Sequence, residues 1–196
     1  MAPSVTRTAQ LVARAQAGDA DAYDQLFALA SDRVRLYARL RLGPGLRSRV
    51  ETDDVLQEAY LAAHKAFDRF RYEGEEAFTR WLCRIAENAI RGLSDHHRAR
   101  KRTPPAGMAR VSRILDRLHA SATGPATAAT RQEHAKRLIA GVDALADDER
   151  EVLLLRFFQG RTLDDIAHLT GRSPSTTRRL LGRATASLGA HLESTS

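Results

Sequence analysis

Residues Arg161–Ala184 read RTLDDIAHLTGRSPSTTRRLLGRA. Thr162 is placed to cap a helix, and Asp165 three residues on completes a capping box. Leu163, Ile166, Ala167 and Leu169 supply its inner face. Gly171 suits the left-handed residue that ends such a helix. Ser173 then caps a second helix, and Pro174 stands at its first position, where no N–H is needed. The order cap, short helix, glycine, cap, longer helix is helix–turn–helix grammar. Four arginines follow the glycine (Arg172, Arg178, Arg179 and Arg183), and no acid follows Asp165 in the stretch. In a DNA-binding motif of this kind the second helix enters the major groove, where a carboxylate would meet phosphate. The plainer reading is an αα-hairpin with a solvated basic face.

The rest of the composition agrees with a helical, anion-seeking chain. Its 196 residues suffice for one ordinary domain or two small ones. It is 43% apolar and 28% charged but only 6% aromatic, a helical rather than a strand-rich balance. The formal net charge of +7 favours nucleic acid, or less often a membrane surface, as partner. The strongest apolar run, Val152–Leu155, is far too short to span a bilayer. Cys83 is the single cysteine, which excludes an internal disulfide and a cysteine-built zinc site. The first eighteen residues lack acids and carry Arg7 and Arg14, as a transit peptide would, but Leu11, Val12 and Ala15 read better as the start of a helix.

Three regions follow from periodicity. Residues 1–102 read as long helices: one over about Val5–Ala17, a second capped by Asp19 and running to about Leu42, then a break at Gly43, Pro44 and Gly45. Thr52 is the expected cap of the next helix, with Asp53 and Asp54 in its first turn and Leu56, Tyr60, Ala63 and Phe67 on its inner face. A further helix carries Phe78, Trp81, Leu82, Ile85, Ala89 and Leu93 inward. It ends in Arg91, Arg98, Arg100, Lys101 and Arg102 against Asp95. Residues 103–130 have linker composition, interrupted by an amphipathic segment at Val111–Leu118. Residues 131–196 are helical again. The expected fold is all-α: two small helical domains joined by a flexible linker, the C-terminal one a helix–turn–helix domain.

Catalytic constellations are missing from this pattern. Glu51, Asp53, Asp54 and Glu58 have no histidine at ligand spacing and suit a helix start or a protein-docking face better than metal or acid–base work. His96 and His97 diverge on a helix. There is no glycine-rich phosphate loop and no nucleophile–base pair. Trp81 fits either core packing or stacking on a base.

Three stretches in order resemble the bacterial sigma-70 family of RNA polymerase sigma factors, in its short extracytoplasmic-function (ECF) class. ETDDVLQEAYLAAHKAFDRF is similar to the family's core-polymerase-binding segment. FTRWLCRIAENAIRGLSDHHRARKR is similar to its −10-element and melting segment. LADDEREVLLLRFFQGRTLDDIAHLTGRSPSTTRRLLGRATASL is similar to its −35-reading domain. The resemblance implies that Asp53, Asp54, Gln57 and Glu58 face the polymerase. It implies that Phe70, Arg71 and Tyr72, then Asn88 and Arg91, then Arg98, Arg100, Lys101 and Arg102, serve the −10 element. It implies that Arg178, Arg179 and Arg183, helped by Arg172, Ser175 and Thr176, serve the −35 element. The implied protein is a cytoplasmic, non-enzymatic initiation subunit that needs no cofactor or metal. Its implied partners are core RNA polymerase, promoter DNA in duplex and single-stranded form, and an anti-sigma factor where one exists. The competing reading is a stand-alone helix–turn–helix regulator with an N-terminal sensor or dimerisation domain.

Overall fold

The structure, a computed structural model, describes residues 6–99 and 125–194, with side chains over 6–93 and 133–194. The expected side chains of Arg98, Arg100, Lys101 and Arg102, and the segment Val111–Leu118, lie outside the described residues. Among the described residues the regular elements are all helical: α1 (Arg7–Gln16), α2 (Ala20–Arg47), α3 (Thr52–Ala66), a 3-10 turn (Phe67–Arg69), α4 (Ala77–Ala99), α5 (Pro125–Asp143), α6 (Asp147–Phe157), α7 (Leu163–Thr170) and α8 (Pro174–Ser194). They form two compact units. The first runs to Ala38 and resumes at Arg49. The second joins Arg39–Ser48 to the helices from α5 onward.

In the first unit, α1 is capped by Thr6, whose side chain accepts the Ala9 N–H. Asp19 turns the chain into α2: its carboxylate accepts the Ala22 N–H at 3.0 Å and takes two hydrogen bonds from Arg14. The Ala22 N–H, then Arg14, hold its carboxyl below the usual aspartate range. The second helix breaks after Leu42, as its sequence suggests. Gly43 takes φ 58°, ψ 175°, and a further turn runs on to Arg47. Pro44 is tolerated because it opens that resumed turn, where its missing N–H has no helical partner to lose. The expected cap Thr52 is displaced by one residue. Glu51 holds the extended cap position, without a side-chain cap bond, and Thr52 is already helical.

An aromatic cluster fills this unit. Phe27, Tyr60 and Phe78 are almost fully buried. The Phe27 ring lies 5.3 Å from Tyr60 and 5.1 Å from Phe78, both edge-on, the arrangement that ring quadrupoles favour. Phe78 also meets Phe70 at 5.5 Å and Trp81 at 5.7 Å. Cys83 is buried beside this cluster, and burial pushes its thiol up to about 12, so it stays a protonated packing group.

The inward face of α4 differs from the expected one. Phe78, Leu82, Ala86 and Ile90 form the deep stripe, whereas Trp81, Ile85, Ala89 and Leu93 are half-buried beside it. Glu87 is buried within it as well. The Tyr37 hydroxyl donates to one Glu87 oxygen at 2.7 Å, and Arg91 donates to the other at 3.0 Å. A buried carboxylate held in this way is tolerated where an unpaired one is not.

In the second unit α6, α7 and α8 enclose Val152, Leu155, Ile166 and Leu180, with Leu181 packed against them. Helix α5 lies along α8, and Gly141 permits the approach: a β-carbon there would sit 2.6 Å from Leu188 Cδ1. The Arg150 guanidinium donates to the carbonyls of Val142, Asp143 and Leu145, satisfying the C-terminal end of α5. Arg47 is ion-paired with Asp143 within the same unit.

Candidate nucleic-acid and protein interfaces

The helix–turn–helix is built as its residues require. Thr162 Oγ1 accepts the Asp165 N–H at 3.1 Å, and Asp165 accepts the Thr162 N–H at 3.2 Å, which completes the capping box. The Thr162 hydroxyl, then its N–H, hold the Asp165 carboxyl below its usual range. Gly171 ends α7 at φ 66°, ψ 25°. Ser173 Oγ accepts the Thr176 N–H at 3.2 Å and opens α8. Thr177, Leu180 and Ala184 face inward along α8.

The arginines around α8 fall into two classes. Arg178 and Arg179 are exposed and form no ion pair among the described residues. Arg172 is paired with Glu151 at 3.0 Å and Asp148 at 3.7 Å. Arg183 is paired with Glu149 at 2.9 Å, and that carboxylate is itself buried. Acids in and near the first turn of α6 thus hold two of the four arginines singled out in the sequence. Ser175 is exposed and Thr176 half-buried at the start of α8. Past Asp165 no acid appears until Glu193, near the far end of α8.

On the first unit, Asp54 and Glu58 are exposed one turn apart on α3, Gln57 is half-buried, and Asp53 is paired with Arg35. A groove of about 540 Å³ runs between α3 and α4. Glu58 and Asn88 line it with Ala62, Ala66, Ile85, Ala89, Gly92 and Leu93. The structure thus brings one residue expected to dock on polymerase and one expected to read −10 bases to the same groove. Arg91, exposed, is tied back to Glu87.

The loop from Phe70 to Glu76 divides the three residues expected there. Arg71 is exposed. Tyr72 is half-buried, with its hydroxyl 2.7 Å from Thr6 Oγ1. Phe70 corrects the expectation. It is 6% exposed and packs 5.0 Å from Trp81 within the aromatic cluster, so its ring cannot meet a base without leaving the core. Sequence reasoning missed Thr6, Gln16, Glu87, Glu149 and Glu151 as partners of these residues. The run ADDERE was a visible signal for Glu149 and Glu151. Glu87 stands four residues before Arg91 on the same helix, a spacing visible in the sequence, whereas Thr6 and Gln16 carry no signal, because their partners lie 66 and 54 residues away in the chain.

No helix among the described residues is long and apolar enough to cross a membrane, and no group of three or more histidine, cysteine or acidic residues there could hold a metal. Comparison with known proteins is consistent along the chain. Residues 5–194 match the family model described as ECF sigma factor. The chain is 34% identical over 182 residues to the RNA polymerase sigma-H factor of Pseudomonas aeruginosa, covering 89% of this chain and 88% of that one. It is 32% identical over 180 residues to the ECF RNA polymerase sigma factor SigM of Mycobacterium tuberculosis, covering 92% and 82%. Among solved structures it is similar to CnrH in complex with the cytosolic domain of CnrY, with a TM-score of 0.50 at 28% identity over 97% of this chain and 100% of that one. A stand-alone regulator is not favoured by these relatives. The chain belongs to the ECF sigma factors of the sigma-70 family, the subunits that bind RNA polymerase and promoter DNA and direct transcription initiation.

Proposed function

We propose that the two units divide the promoter between them, the first docking on core polymerase and holding the opened −10 strand, the second reading the −35 duplex. The observation that carries this reading is the state of Arg178 and Arg179: exposed, without ion pairs among the described residues, on a helix that presents no acid before Glu193. Guanidinium groups in that state are available for bidentate contact with guanine edges or for phosphate. The work is binding and strand capture, in the cytoplasm where polymerase acts, while bond formation belongs to the polymerase. An anti-sigma partner is part of the same reading, as CnrH is found in complex with the cytosolic domain of CnrY. Transcription from a library of genomic fragments with purified core polymerase tests it. Specific start sites should appear only with this chain, and fragments without a shared pair of elements would sink the division of labour.

Docking is assigned to Asp54 and Glu58, which share one exposed helical face. Reversing both charges to lysine should weaken assembly with core polymerase by about tenfold or more. Stability should change by less than about 0.5 kcal/mol, because both are surface positions. Co-sedimentation with core polymerase measures the first effect and thermal unfolding the second. Unchanged assembly would move the docking face elsewhere.

Asn88 can donate and accept at a base edge, whereas the arginines near it serve the backbone. The holoenzyme should therefore bind a single strand carrying one −10 sequence better than its complement, since an unpaired strand exposes base edges that the duplex hides. Asn88→Ala should lower that preference about five- to tenfold. Fluorescence anisotropy with the two labelled strands measures it, and equal affinities in the unsubstituted holoenzyme would remove the melting role.

A further inference from the structure

The loop between α3 and α4 has little internal support. Phe70 donates its N–H to the Phe67 carbonyl, and Ala77 donates to Gly74, but Arg71, Tyr72 and Glu73 make no backbone–backbone hydrogen bond among the described residues. Two side chains of α1, 54 and 66 residues away along the chain, supply what is missing. Gln16 Nε2 donates to the Phe70 carbonyl at 2.8 Å. Thr6 Oγ1 meets the Tyr72 hydroxyl at 2.7 Å. These contacts hold positions 70 and 72, and the exposed Arg71 lies between them.

Helix α1 is itself anchored so that it can serve as a fixed support. Its ten residues are too few to form a stable helix alone, so its order comes from packing. Leu11, Val12 and Ala15 are buried. Arg14 and Asp19 lock the turn into α2, and Tyr23 of α2 meets Phe67 edge-on at 5.0 Å. Phe67 stacks on Phe70 at 6.2 Å. The loop is thus gripped from inside by the Phe70 ring and from outside by the two ends of α1. Thr6 has two tasks, since the hydroxyl that meets Tyr72 also caps α1. The same hydroxyl therefore serves both the loop and the helix start.

We propose that α1 is a brace for this loop, with Thr6 and Gln16 as positioning residues that set Arg71 and Tyr72 in advance for an unpaired promoter strand. The inference rests on the −10 role given to the loop above. A loop ordered before binding loses less conformational freedom when the strand arrives, which raises affinity without adding a contact to DNA. Neither Thr6 nor Gln16 needs to touch nucleic acid.

The test uses the full chain in holoenzyme and the two labelled −10 strands. Thr6→Val combined with Gln16→Ala should lower the preference for the promoter strand about tenfold, since a neutral hydrogen bond is worth roughly fivefold and the pair is not fully additive. Affinity for the complementary strand and for core polymerase should stay within about twofold. Thr6→Ser, which keeps the hydroxyl, should restore most of the preference when Gln16 is intact. A parallel Asn88→Ala holoenzyme separates the two claims. If Asn88→Ala loses strand preference and the α1 variant keeps it, the brace is overturned and the −10 role stands. If the α1 variant weakens both strands and core binding alike, α1 is a general fold element and the brace is again overturned. If the unsubstituted holoenzyme binds the two strands equally, the −10 role fails and the brace fails with it; if it prefers one strand and the α1 variant keeps that preference, the brace alone is overturned.

Discussion

Replacing Arg178 and Arg179 together by alanine is expected to abolish measurable −35 recognition. Each bidentate guanidinium–guanine contact is worth about 1–3 kcal/mol, or about five- to 150-fold in affinity. Both side chains are exposed and neither must leave an ion pair to reach DNA. Arg183→Ala should cost less, because Arg183 is already neutralised by the buried Glu149 at 2.9 Å and contributes less net charge to phosphate. The salt dependence separates the roles. Loss of a phosphate contact flattens the slope of log K against log salt by about one unit, whereas loss of a base contact relaxes specificity at one position. Titration of a −35 duplex and of base-substituted duplexes at several salt concentrations measures both. If the double variant binds its −35 duplex as the unsubstituted chain does at every salt concentration, α8 is not the reading helix.

The second large effect is on folding. Phe78→Ala should destabilise the first unit by about 3–5 kcal/mol, through lost transfer energy and the cavity left behind. That is a large share of the stability of a small domain. Phe78 is 1% exposed and meets Phe27, Phe67, Phe70 and Trp81 within 6.2 Å. The reporter is built in, because Trp81 is the single tryptophan of the chain and belongs to this cluster. Its fluorescence during urea unfolding should show the midpoint falling sharply. Near-unchanged α8 binding to −35 DNA would localise the damage to the first unit. A midpoint within experimental error of the original would show that the cluster is not the organising core. The same substitution should also loosen the seat of the loop after α3, since Phe70 packs against Phe78.

The caps and turn read from Arg161–Ala184 transferred to the structure, but Leu169, expected on the inner face, is 50% exposed, and Ile166 and Ala167 alone are buried on that helix. The signals that transferred are local: a cap bonds three residues on, a left-handed glycine acts on its own helix end, and a proline at the first helical position needs no distant partner. The face of α3 was legible for the same reason, since Leu56, Tyr60, Ala63 and Phe67 repeat at helical spacing and all are buried. The break at Gly43 was legible as well, whereas the cap of α3 moved by one residue to Glu51, which makes no side-chain cap bond.

What the sequence by itself determined is therefore the helices, their caps and the basic face of α8, because these depend on contacts within about four positions. Which arginines are free and which are held, why Phe70 turns inward, why Glu87 is buried and what steadies the loop were decided by the tertiary structure. Those outcomes depend on pairs such as Tyr37–Glu87, Arg183–Glu149 and Thr6–Tyr72, brought together only when separate helices pack. A charged or polar residue is legible as a type from its neighbours in sequence, but its partner is chosen by whichever helix the apolar core places against it.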